Sequence, residues 1–530
     1  MVWSRDMGMF WTISRPRTLC LILQATTRAP FWKHRVCPLS TEVLATPNFI
    51  ECTDSENSFD FKSLTSRVEK LERRESIVYA FQSYMSEGFP VQRGDVFHTI
   101  NRLRKLRKYK RALEVMEWVI RERPYKLKEL DYSCLLEFTV KIHGISRGET
   151  LFSRIPVEFH NELLYNNLTL SCLDKGAITL ALAYMKKMRE LGFPLSPLIF
   201  NRLILLHSSR TQKKKIPKIL TQMKADGVTP TTCTYNILVN IEAQGHDMEG
   251  LVKVFDEMRL LQIEPNEITY CILALAHAVA RLHTVAESYV EAIERAQTGR
   301  NWSTLDVLLT LYGYLGKEKE LEATWELVLK LPHIRRRSFL VVIEAFGRFG
   351  HVKRAEEIWS EMKREKELGF TEQFNSLISV YGRHGLVSKA SEMFRAMRDV
   401  GCEPNAITYR HLAIGCLKAG LVKEAMKTLG LERECSVSCR VRRSAPWLES
   451  TLSIVEMFSE MGDVENAKKF FEELKESGYS RYTFAYNTML RAYVKAKVYY
   501  PDFLKEMIVG GGRPDAETYS LVRLLEEFKT

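Results

Sequence analysis

The chain contains no Cys-x-x-Cys pair, although eleven cysteines are spread over its 530 residues, from Cys20 and Cys37 to Cys435 and Cys439. An odd count in a chain of this length, with no secretory signal, argues against a disulfide framework. Most of these thiols are expected as small buried apolar side chains. Long hydrophobic runs are also lacking. The longest, Tyr270 to Ala280, is broken by His277 and is too short to span a bilayer, so no transmembrane helix is expected.

Catalytic patterns are absent as well. His160-x-Glu162 resembles the first half of a zinc deaminase signature, but no Pro-Cys-x-x-Cys follows to complete the ligands. Gly313-x-x-Gly316-Lys317 has the wrong spacing for a phosphate-binding loop, and no His-Glu-x-x-His occurs. Acidic residues are spread through amphipathic stretches without clustering. No metal, cofactor or small-molecule substrate is expected, and the chain reads as a non-enzyme.

Acids are scarce at the N-terminus. From Met1 to Thr41 six bases (Arg5, Arg15, Arg17, Arg28, Lys33, Arg35) face one acid, Asp6. With the hydroxyls of Ser4, Thr12, Ser14, Thr18, Thr26 and Thr27, residues 1–45 read as an organellar transit peptide. The excess of Arg over Lys and the moderate Ser/Thr content favour the mitochondrion over the plastid. Subtracting this segment's net charge of five from the total of +12 leaves +7 for the body, which permits RNA binding without demanding it.

What the chain does have is a period. Asn166/Met188, Asn201/Met223, Asn236/Met258 and Asn375/Met397 keep one spacing, and Leu340/Met362 keeps it without the Asn. The first three Asn residues recur every thirty-five positions, with Cys271 where a fourth would fall. Such a period signals a solenoid of small helical units. Each unit reads as two helices. The second carries a stripe such as Ala355/Trp359/Met362, Ala390/Phe394/Met397, Ala425/Leu429 or Ala467/Phe471/Leu474, whose i, i+4, i+7 spacing puts it on one face. Gly192, Gly227, Gly401 and Gly478 suit a helix stop, and Pro230, Pro265, Pro404 and Pro514 then prevent continuation.

The pattern Thr-Tyr-Asn … Ala … Phe … Met … Gly … Pro-Asn resembles the pentatricopeptide repeat family, in its pure thirty-five-residue class of plant organelles. The match is good over Glu162 to Thr231, Thr232 to Asn266 and Thr371 to Glu432, and weaker elsewhere between Arg93 and Asp515. Arg107 to Val119 resembles a signature near the N-terminus of one organellar subgroup. A tetratricopeptide solenoid is the near alternative, and the spacing and the Pro-Asn/Pro-Asp unit ends argue against it. The organisation expected is a transit peptide over 1–45, a linker and helical region over 46–92, degenerate repeats over 93–161, and tandem repeats over 162–433. An Arg-rich interruption over 434–447, further repeats over 448–515 and a terminal partial repeat or cap over 516–530 complete it. The chain stops soon after Asp515, so no appended editing or nuclease domain of the kind some relatives carry is expected.

The resemblance implies an all-α, right-handed superhelical solenoid that lays single-stranded RNA along its first helices, one nucleotide per unit. It assigns base choice to the fifth and last residues of a unit. Asn166 with Ser196 then resembles a cytosine selector, Asn236 with Asn266 and Asn375 with Asn405 resemble pyrimidine selectors, and Asn487 with Asp515 a uracil selector. Asn201 with Thr231 is an uncommon pair, read as pyrimidine. The second residue typically forms a stacking wall, which Leu163, Leu198, Cys233, Ile268, Ile407 and Phe484 fit, and Arg337 and Glu372 do not. Cys271, Asp306, Leu340, Arg410 and Leu452 at fifth places are not standard selectors, so code-like recognition is expected to be discontinuous.

Arg348, Arg383 and Lys418 stand thirty-five apart, and Lys495 holds the same place in its own unit. Such a ladder could neutralise successive phosphates. Equally, it could be a solvated face near a helix end, where cations are favoured. The runs Arg102 to Arg111 and Lys213 to Lys218 are expected to face solvent, and Arg440, Arg442 and Arg443 to lie in an RNA- or partner-binding loop. The function expected is sequence-selective RNA binding in organellar RNA processing, stability, splicing or translation. The alternative is a structural component of an organellar ribosome or RNA–protein complex.

Overall fold

A computed structural model describes residues 63–72, 75–208, 212–296, 302–434, 442 and 444–529. The expected transit peptide lies outside these residues, as do Arg440 and Arg443. Among the described residues the chain forms 27 α-helices and no strand. None of these helices is long and apolar enough to cross a membrane.

Each unit is a helical pair for a reason legible in its residues. In the helix Val387–Asp399, Ala390, Phe394 and Met397 are buried and line the face turned to the rest of the unit. Ala355, Ala425 and Ala467 are likewise buried, which lets the paired helices approach closely. Second helices stop where the backbone turns left-handed: Gly401 has φ 81° and Gly478 φ 95°, a region that Cβ-bearing residues rarely enter. First helices begin on caps. Thr231, Asn266, Asn405 and Asp515 each accept the backbone N–H three residues on, so the last residue of one unit is the N-cap of the next.

First helices stack on one another with little room. A Cβ on Gly382 in the helix Thr371–Arg383 would lie 2.4 Å from the His411 backbone oxygen in the next first helix, Ala406–Lys418. The apolar core passes from unit to unit rather than gathering in one place, as a one-dimensional array requires. Cys134, Cys172, Cys271, Cys402 and Cys416 are buried within it, and their thiols are free.

In the run Arg102 to Arg111, Arg102, Lys105, Arg107, Lys108 and Lys110 are exposed as expected, and Arg104 and Arg111 depart from expectation. Arg104 pairs with Glu137 at 2.6 Å, and Arg111 donates to the backbone oxygens of Glu72 and Glu75. These two cations knit neighbouring helices, because the guanidinium fork offers several donors at once to a carboxylate or to loop carbonyls.

The array also closes on itself. Ala280, with the partly buried Met248 and Val279, packs into the apolar cluster of the C-terminal units that holds Trp447, Tyr482 and Tyr486. His246 Nδ1 lies 2.8 Å from the Tyr482 hydroxyl, 236 residues away. Arg281 pairs with Glu456 at 2.9 Å and lies 4.7 Å over the Phe484 ring. Asp247–Arg481 and Glu249–Arg513 complete the seam. Units that begin near residue 232 therefore touch those near residue 483, with intervening first helices curved between them.

Candidate nucleic-acid interface

The fifth and last residues of a unit meet at the start of the following first helix. Asn266 caps the helix Glu267–Val279: its Oδ1 accepts the Thr269 N–H at 3.1 Å, and Thr269 Oγ1 accepts the Asn266 N–H at 3.0 Å. Asn236 joins this box. Its Nδ2 donates to Asn266 Oδ1 at 3.1 Å, and the Thr269 hydroxyl donates to Asn236 Oδ1 at 2.6 Å. Both backbone N–H groups are obligate donors, so the one hydroxyl proton is left for Asn236 and the orientation of its amide follows.

The same relay recurs. Asn375 donates to Asn405 at 3.3 Å and accepts from Thr408 at 2.8 Å. Asn487 donates to Asp515 at 3.0 Å and accepts from Thr518 at 2.7 Å. Desolvation pushes the Asp515 carboxyl up, but hydrogen bonds from the Thr518 N–H, the Asn487 amide and the Thr518 hydroxyl outweigh it and hold the group below its usual range. Asn166 accepts the Ser196 N–H at 3.1 Å. Asp306 occupies a fifth place too, and accepts from Ser338 at 2.6 Å in the same geometry. Nothing in its residue type alone had suggested this; the Ser at the third place of the next unit was the available signal.

Asn201 is the exception. It is 1% exposed, and neither amide atom has a hydrogen-bond partner among the described residues. Its cap is Thr231, whose shorter side chain lies 3.3 Å from the Thr234 hydroxyl instead. The four fifth-place residues Asn201, Asn236, Asn375 and Asn487 are all buried, whereas Asn166 is half-buried. The last residues are more open: Thr231, Asn266 and Asp515 are exposed, Ser196 and Asn405 half-buried. Leu163, Leu198, Cys233 and Ile268, three residues before the fifth-place Asn or Cys on the same helical face, are half-buried.

At Arg410 the fifth place serves the fold. Its guanidinium is 1% exposed, pairs with Glu432 at 3.1 Å and Glu473 at 2.6 Å, and lies 4.7 Å over the Trp447 ring. Position in the repeat could not have revealed this, because both acids lie on second helices.

The cationic ladder divides in two. Lys418 and Lys495 are exposed. Arg348 and Arg383 instead hold Glu449, from the helix Ala445–Met461. Arg348 Nη2 is 2.9 Å from both carboxylate oxygens, Arg383 Nη2 is 2.8 Å from one, and the Tyr314 hydroxyl donates to the other. The Arg348 guanidinium also lies 4.3 Å over the Tyr314 ring. Burial would raise the Glu449 carboxyl, but the charges of Arg348 and Arg383 prevail and lower it to about 2. Burial, with Arg383 nearby, lowers His411 to about 3, so its ring is neutral.

Comparison with known proteins completes the picture. Models described as PPR repeat family, pentatricopeptide repeat domain and PPR repeat match residues 372–418, 183–245 and 233–263, 337–366 and 451–479 respectively. A pentatricopeptide repeat-containing protein of Arabidopsis thaliana, named as mitochondrial, is 58% identical over 468 residues, covering 88% of this chain and 88% of its own. A second Arabidopsis thaliana protein so named is 29% identical over 422 residues, covering 80% of this chain and 70% of its own. The crystal structure of the pentatricopeptide repeat protein PPR10 in complex with an 18-nt psaJ RNA element is 20% identical, with a TM-score of 0.34, over 84% of this chain and 69% of that one.

Proposed function

This chain belongs to the pentatricopeptide repeat family, and on that premise we propose that it binds single-stranded RNA along its first helices, in mitochondria and without catalysis. The mitochondrial assignment rests on the names of its relatives and on the Arg-rich, acid-poor residues 1–45. Selective binding of a transcript segment would act in its processing, stability, splicing or translation, by keeping nucleases or competing strands away.

One observation carries the reading: the residue pairs that the family resemblance assigns to base choice are hydrogen-bonded to each other in Asn236–Asn266, Asn375–Asn405 and Asn487–Asp515. A base that met such a pair would face one fixed donor–acceptor arrangement. The amides of Asn236, Asn375 and Asn487 are buried against the following unit, while Asn266 and Asp515 are exposed and Asn405 is half-buried. Selection from randomised RNA should enrich a pyrimidine-biased motif, and Asn236→Ala combined with Asn166→Ala should relax it. An unbiased selected pool would remove base reading by these residues.

A second reading, a scaffold in an organellar ribosome or RNA–protein complex, is favoured by Arg410, whose fifth place is taken by a buried ion pair. Co-sedimentation with ribosomal subunits in the absence of motif enrichment would select it.

A further inference from the structure

Tyr314, Arg348 and Arg383 are the thirteenth residues of three consecutive first helices, Trp302–Leu315, Arg336–Phe349 and Thr371–Arg383. Side chains at one repeat position would ordinarily follow a strand, each one nucleotide from the last. Here they converge on one carboxylate, brought across the groove from 66 to 135 residues along the chain. Two guanidinium groups and a hydroxyl around a singly charged pair of oxygens are also what a phosphodiester requires: the same net charge, two acceptor oxygens, and charge-assisted donors. Side-chain exposures of 14% for Arg348, 29% for Arg383 and 22% for Glu449 leave the cluster open at its edge.

The seam around the cluster is of a kind that can part. Among the described residues it includes, beside Ala280, Met248 and Val279, the pairs Arg281–Glu456, Asp247–Arg481 and Glu249–Arg513, the Arg281–Phe484 contact and the contacts of His246 with Tyr479 and Tyr482. Partly exposed ion pairs of this sort contribute little each. Neighbouring units, by contrast, share a continuous buried apolar core beside their polar relays.

We infer that Tyr314, Arg348 and Arg383 form a single phosphodiester site that Glu449 fills in the RNA-free protein, so that RNA binding and opening of the groove are one exchange. The incoming phosphate takes the two arginines and the tyrosine hydroxyl, and the carboxylate leaves to solvent. The inference rests on the RNA-binding reading.

The test is titration of a fluorescent oligouridylate against wild type and Glu449→Gln across a potassium chloride series. The variant should bind about tenfold more tightly at low salt, with a log–log salt slope close to that of wild type, since the same phosphate is neutralised in both once the carboxylate has left. Adding Arg348→Ala and Arg383→Ala to Glu449→Gln should abolish the gain, and Glu392→Gln, on the outer helix Val387–Asp399, should produce none. Equal affinity of wild type and Glu449→Gln would overturn the exchange while leaving RNA binding intact. Absence of binding by both would instead remove the reading beneath it. Should Glu449→Gln fail to fold, small-angle neutron scattering of wild type with the oligonucleotide contrast-matched decides. The protein's radius of gyration should grow on binding, and an unchanged value refutes the opening.

Discussion

Asn201 and Asn236 hold the same place in neighbouring units, yet replacing each by leucine should move local stability in opposite directions. Asn236 is 1% exposed and makes two relay bonds, to Asn266 and from Thr269. Removing them costs about 1 kcal/mol per hydrogen bond, and the buried Thr269 hydroxyl loses its short acceptor, for about 2–3 kcal/mol in all. Asn201 is equally buried but has no partner among the described residues. Its leucine variant relieves an unpaired carboxamide and should be neutral or stabilising by about 1–2 kcal/mol. Any overpacking by the larger side chain applies to both sites and drops out of the comparison. A solenoid need not unfold in one step, so the measurement is native-state hydrogen exchange on the helices Pro197–Leu206 and Thr232–Gln244. Amides of the second should lose about thirtyfold or more in protection in Asn236→Leu, and those of the first should keep or gain protection in Asn201→Leu. Equal losses at both sites would refute the relay as a source of stability. Loss of selection at the corresponding nucleotide in a stabilised Asn201→Leu would separate base reading from folding.

Other outcomes follow from the same geometry. Gly382→Ala places a Cβ 2.4 Å from a backbone oxygen that cannot yield cheaply, and should lower stability by about 1–3 kcal/mol in thermal melts; an unchanged melt would mean the first helices can spread. Arg410→Met leaves Glu432 and Glu473 without their buried cation and should cost about 3–5 kcal/mol, much of it restored by adding Glu432→Gln and Glu473→Gln; no restoration would assign the loss to packing on Trp447. His411 is charged below about 6.5 in the unfolded chain and stays neutral to about 3 in the fold, so the unfolded state binds the extra proton and stability falls as pH drops through this window. Between pH 6.5 and 5, denaturant midpoints of His411→Gln should decline less than those of wild type, by about 2 kcal/mol; parallel declines would dismiss the histidine. Glu449 adds nothing in that range, since its carboxyl, lowered to about 2, stays charged in both states until the pH falls lower. Lys418→Ala and Lys495→Ala, at exposed places, should each flatten the salt slope of RNA binding by about 0.7 for every sequence alike; an unaltered slope would mark them as solvated helix ends.

Where periodicity alone was enough, residue spacing and three-dimensional placement agree. The stripe Ala390/Phe394/Met397 is buried on one face, and Gly401 and Gly478 take left-handed backbone after the helices they end. The caps Asn266, Asn405 and Asp515 are where the Pro-Asn and Pro-Asp unit ends put them. Spacing could not show which fifth-place residues the fold would claim. Asp306 joins the relay because Ser338 follows in the next unit, whereas Asn201 stands outside it because its cap is a threonine. Arg410 looked like a failed base selector and is a buried ion-pair centre. The run Arg102 to Arg111 looked like a solvated surface, and Arg104 and Arg111 bind helix to helix.

A helical repeat is written locally: a side-chain stripe, a cap and a stop all act within a few residues, so the order of residues by itself determines a two-helix unit, its register and its stacking on the next. Curvature is not local. Small rotations between units add up until residue 246 reaches residue 482, and the sum depends on every interface, including Gly382 against His411. Only the tertiary structure therefore decided that Glu449 sits on Arg348 and Arg383. An ion pair between groups a hundred residues apart forms where the array happens to close, and no repeat carries that information.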